Sequence, residues 1–98
     1  MGIRKINRAT FQALAPTHAI MDEYIGSEVE WFANGAKTIL GVIALDPGGT
    51  TWNFVVFKKL NKNFQPCKIG WDVSDRDMAK VNLLLAMQES DKPKPSKR

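Results

Sequence analysis

Only one of the 98 residues is a cysteine, Cys67, so the chain can form no internal disulfide. Only one is a histidine, His18. One Cys and one His cannot complete a tetrahedral zinc site within a single chain. No apolar run approaches the roughly 18 residues a membrane helix needs; the longest candidate, residues 39–45, is strand-sized. The N-terminal MGIRKINRATF lacks the apolar stretch of a secretory signal. These absences suit a cytoplasmic chain with no membrane span, no resident metal and no cofactor.

Charge of one sign is also scarce in the body of the chain. Lys92, Lys94, Lys97 and Arg98 carry four positive charges, which equals the whole net charge of +4. Arg4, Lys5 and Arg8 add three more at the other end. Residues 9–91 then hold seven basic side chains against ten acidic ones, a net of −3. The high isoelectric point therefore describes the ends, whereas a nucleic-acid-binding fold concentrates positive charge on its body.

What is present is a normal globular share of apolar residues, 44%, with three Trp, five Phe and one Tyr to fill one core. Residues 3–7 read as a short first strand. Thr10 reads as the N-cap of a helix over 11–15 stopped by Pro16, and Thr17 as the N-cap of another over 18–25 closed by Gly26. Residues 28–33 alternate, with Val29, Trp31 and Ala33 on one side. Asn34-Gly35 is a tight-hairpin dipeptide. Residues 38–46 set Leu40, Val42 and Ala44 opposite Ile39, Ile43 and Leu45, the pattern of a central strand covered twice. After a turn at Asp46-Pro47-Gly48-Gly49, residues 51–59 alternate Trp52, Phe54 and Val56 against Val55 and Phe57. Residues 64–73 form the last strand, with Cys67, Ile69 and Trp71 on one face and Pro66 marking an edge. Short connections make an antiparallel meander the cheapest topology.

Ser74 reads as the cap of the final helix, with Asp75 and Asp77 in its first turn. That helix has two apolar sides. Met78, Val81, Leu84 and Leu85 form one stripe, and Leu83, Ala86 and Met87 lie largely opposite. The sheet covers one; the N-terminal helices or a second copy would cover the other. Residues 91–98, with two prolines and alternating lysines, read as a disordered basic tail after a single domain over 1–90. The fold class is α+β: a three- to five-stranded antiparallel meander with short N-terminal helices and one C-terminal helix packed on it.

No residue cluster has the spacing a known chemistry demands, so no catalytic residue is assigned. His18 has Asp22 one helical turn on, yet the plainer reading is a polar residue on a surface helix. Cys67 reads as a small core residue. Glu28 and Glu30 share a strand face, and Asp72, Asp75 and Asp77 gather near a helix start without a calcium loop's glycine or distal glutamate. Asp46-Pro47-Gly48-Gly49-Thr50 suggests a phosphate loop but has no following lysine and joins two strands. Lys58, Lys59, Lys62 and Lys68 surround a hairpin with Phe64 at its tip, a set able to grip phosphates and stack a base, or simply to protect an edge.

IRKINRATFQALAPTHAIMDEYI reads as a strand and two short helices. EVEWFANGAKTILGVIALD follows as a hairpin carrying Leu40-Gly41-Val42-Ile43, and TTWNFVVF adds a strand. This order resembles the N-terminal half of the GCN5-related N-acetyltransferase fold, over residues 3 to about 60. The resemblance implies an acyl-CoA binder. The family's glycine-rich pyrophosphate loop is not matched: residues 70–77 carry Asp72, Asp75 and Asp77, which repel phosphate. The same segments also resemble short uncharacterised bacterial proteins of plasmids, phages and integrated elements.

Three expectations result. The first is a non-enzymatic interaction protein of a bacterium or mobile element, binding a protein partner or itself, with Leu83 and Met87 as the self-association residues. The second is a degenerate acyl-CoA binder. The third is a weak nucleic-acid binder using Lys58, Lys59, Lys62, Phe64, Lys68 and the tail.

Overall fold

The computed structural model describes residues 2–14, 28–35 and 38–91. The helix expected over 18–25 with His18, the tail at 92–98 and the side chain of Trp71 lie outside the described residues. The elements run β1 (Ile3–Ile6), α1 (Arg8–Leu14), β2 (Val29–Asn34), β3 (Ile39–Leu45), β4 (Trp52–Leu60), β5 (Asn63–Val73) and α2 (Arg76–Asp91). The strands form one open sheet in the order β1-β2-β3-β4-β5, every pair antiparallel. The α+β meander is the architecture, with α2 packed on one face and α1 on the other.

β3 is apolar on both faces because both are covered. Its residues 39–44 are all buried. Leu40 and Val42 join Trp31, Ala33, Val55 and Phe57 on the α1 side. Ile39 and Ile43 join Phe32, Phe54 and Val56 beneath α2. Phe11 is the plug of the first layer: fully buried, its ring lies 4.7 Å from Trp31 and 6.2 Å from Phe57.

Several local details differ from the sequence reading. Asn7, not Thr10, caps α1: its side-chain oxygen accepts the Thr10 amide at 2.8 Å and its carbonyl accepts the Phe11 amide at 3.0 Å. Asparagine caps at least as well as threonine, so the helix starts earlier. Asp75, not Ser74, caps α2 by accepting the Asp77 amide at 2.8 Å. The Asp side chain adds a negative charge at the positive end of the helix. Asn34 pairs with Ile39, so four residues separate β2 from β3, rather than the two of a tight hairpin. Cys67, expected in the core, is exposed, and Ile69 is 38% exposed. Both sit on β5, an edge strand, and neither joins the apolar cluster on the α1 side or the one beneath α2 among the described residues.

Two glycines set how closely the layers meet. A Cβ on Gly41 would lie 2.5 Å from Met87 Sδ and 3.0 Å from Leu83 Cδ1, so α2 rests directly on β3 there. At Gly70 of β5, the Phe54 ring occupies the space a side chain would need. Asn34, 5% exposed, ties the far end of α2 to β2 by donating from Nδ2 to the Met87 carbonyl at 3.4 Å.

Candidate functional site

The orientation of α2 decides which of its apolar sides is available. Ala79, Leu83, Ala86 and Met87 face the sheet and are buried. The two alanines are short and Gly41 has no side chain, so the helix settles there and Leu83 and Met87 fill the layer. Leu83 and Met87 are fully buried within their own chain, which removes them as a self-association surface. The outward set is Met78, Val81 and Leu85, 51%, 49% and 53% exposed. Their i, i+3, i+7 spacing puts them on one stripe. The sequence showed both stripes and held no phase marker stronger than Ala79 and Ala86, whose small size was the one available signal.

Beside the stripe, between α2 and β1, runs an open groove of about 450 Å³ lined by Ile3, Lys5, Phe32, Lys80, Leu84 and Gln88. Its floor is apolar and its charges are engaged. Lys80 Nζ lies 5.8 Å from the centre of the Phe32 ring, a cation–π placement. Glu30, with its side chain only 12% exposed, pairs with Lys5 at 3.7 Å and with Arg76. Arg76 in turn lies 5.9 Å from the Trp52 ring. Glu30 is thus the centre of an ion-paired cluster clamping β1, β2 and the start of α2. Glu28 stands exposed just before β2.

The hairpin lysines stand in different settings and do not frame an exposed Phe64. Phe64 is 5% exposed and belongs to the α1-side core, so its ring cannot stack a base. Lys59 lies 6.0 Å from that ring. Lys68 pairs with Glu89 of α2 at 3.3 Å. Lys58 is half-buried on β4, and Lys62 is exposed in the turn beside Asn61, whose φ is 61°.

The Asp46 loop is closed on itself. The Asp46 carboxylate accepts the Thr50 amide at 2.8 Å and the Thr51 amide at 3.2 Å, and its carbonyl accepts the Gly49 amide at 2.9 Å. These amides hold the carboxyl below its ordinary pKa, because they bond its charged form, the Thr50 amide most strongly. Amides committed in this way cannot cradle a phosphate. Asp72, Asp75 and Asp77 are exposed around the start of α2. Among the described residues, no group of three or more His, Cys, Asp or Glu side chains is gathered to hold a metal ion. Also among them, no helix is long and apolar enough to cross a membrane.

The described surface thus presents an apolar helical stripe and, at its flank, a groove with an apolar floor. No family model matches the chain, and neither a curated protein nor a solved structure was found that matches it.

Proposed function

We propose that this chain is a non-enzymatic binding protein that docks a protein surface on the outward face of α2. The observation carrying this reading is the stripe of Met78, Val81 and Leu85, half exposed on a helix whose inner side is fully packed. Single apolar residues on a surface need no explanation, but three at helical spacing form a recognition pattern. Full burial of such a side chain stabilises by about 1.5–3 kcal/mol, so covering the remaining half of three yields on the order of 3 kcal/mol from this side. Association itself costs about 4 kcal/mol or more, so the partner must bring comparable apolar surface. The exposed thiol of Cys67 fits a reducing compartment, which supports a cytoplasmic setting.

A photo-reactive benzophenone side chain placed at Leu85 tests the docking face, with the same group at Lys62 as control. The reading expects discrete adducts from position 85 in cells and none of comparable yield from 62. Equal or absent adducts at 85 contradict it.

A further inference from the structure

Resting on that docking face, we propose that its occupant is a second copy of the same chain, with the two α2 helices side by side and antiparallel. The arc through residues 78, 81, 82 and 85 carries no charge. It is also self-complementary. Turned over about a two-fold axis near Val81 and Asn82, Met78 of one copy meets Leu85 of the other, and Val81 meets the second copy's Val81 and Asn82. An isologous contact of this kind closes at two subunits. The sheets lie behind their own helices, so nothing in the described fold stands in front of the stripe.

Charge selects the direction. The start of α2 is surrounded by exposed Asp72, Asp75 and Asp77. Its end leads directly into Lys92, Lys94, Lys97 and Arg98. An antiparallel pair brings each basic tail to the other copy's acidic end. A parallel pair would set tail against tail and acid against acid. Two acids precede the tail, Glu89 and Asp91. Glu89 is already held by Lys68 of its own β5 at 3.3 Å, and the four cations that follow Asp91 outnumber both, so this end keeps a positive excess toward the incoming aspartates. The contact weakens as salt screens it over a Debye length of about 10 Å.

The experiment uses the full chain with Cys67→Ser, carrying either Met78→Cys or Leu85→Cys, oxidised alone and mixed. The proposal expects a disulfide-linked dimer from the mixture and little from either chain alone. Links within each single variant, and none in the mixture, overturn the antiparallel arrangement. Light scattering on the wild-type chain should show a reversible dimer, with a dissociation constant on the order of tens of micromolar for so small an interface. Leu85→Glu should raise that constant by roughly 100-fold or more, the effect of setting a charge into an apolar contact. Reversing the four tail charges to Glu should raise it by roughly tenfold at low salt and hardly at high salt. A wild-type chain that stays monomeric at about 1 mM in low salt overturns the second copy as occupant. Heterologous adducts from the benzophenone at Leu85 would then leave the docking face standing with a different partner; their absence as well would remove both.

Discussion

Replacing Leu83 with Ala should separate the packed side of α2 from its outward side. Leu83 is fully buried and lies over Gly41, where Cδ1 would stand only 3.0 Å from an added Cβ. Leu→Ala in a core costs about 2–5 kcal/mol, depending on how far the site collapses. Here the floor below is backbone, because Gly41 has no side chain to swing into the gap. The cavity therefore persists, which places the cost in the upper half of that range, about 3–5 kcal/mol. That is a large part of the roughly 5–15 kcal/mol a domain of this size possesses. With a urea m-value near 1 kcal/mol/M, the midpoint should fall by about 3 M or more. The companion variant Leu85→Ala removes the same atoms from a side chain 53% exposed, and should move the midpoint by less than about 0.5 M. Both melts belong at low micromolar protein, where mass action from any dimer is small. If Leu85→Ala costs as much as Leu83→Ala, the helix is rotated from the orientation described and the argument about its free face fails.

Gly41→Ala should destabilise the fold through overpacking, by about 1–3 kcal/mol, since the new methyl meets Met87 Sδ and Leu83 Cδ1; the double variant with Met87→Ala should lose less than the sum of the two single losses, and additive losses in thermal melts would refute the contact. Asp46→Asn should remove a pH dependence. The folded carboxyl is held below the ordinary aspartate range, so its stabilisation is complete above the unfolded pKa and is lost as pH falls through the lowered folded value. Melts of wild type and variant should therefore differ by a constant amount at neutral pH and converge under acid. A gap unchanged down to the acid limit would contradict the loop's role.

The strands were readable in the sequence because their alternation admits one phase. Trp31 and Ala33 point away from Phe32 whatever lies above them, and the faces of 39–45 and 52–57 were assigned correctly for that reason. The final helix was not readable in the same way. Met78, Val81 and Leu85 are as apolar as Leu83 and Met87, so periodicity alone left two orientations of equal merit. What chose between them was a non-local fit, with Gly41 and two alanines letting the backbone of α2 approach β3. Cys67 misled for a related reason. Its neighbours Ile69 and Trp71 suggest a core face, but cover runs out at an edge strand, and no local pattern reports where a covering layer ends. The caps shifted because Asn7 precedes Thr10 and Asp75 follows Ser74, each pair offering two capping side chains where geometry uses one. The site suffered most, since a surface exists only after the core has been chosen. Phe64 moved from a proposed stacking tip into the core, and Lys68 moved from a basic patch into a pair with Glu89.

The most direct measurement is a methyl NMR spectrum of the full chain recorded from about 20 µM to 1 mM, a span chosen to bracket a micromolar affinity. Concentration-dependent shifts should gather on the methyls of Met78, Val81 and Leu85, while those of Leu83 and Met87 stay fixed. Shifts centred instead on Leu83 and Met87, or on Leu60 and Ile69 of the β4–β5 hairpin with the α2 stripe unmoved, would contradict the account.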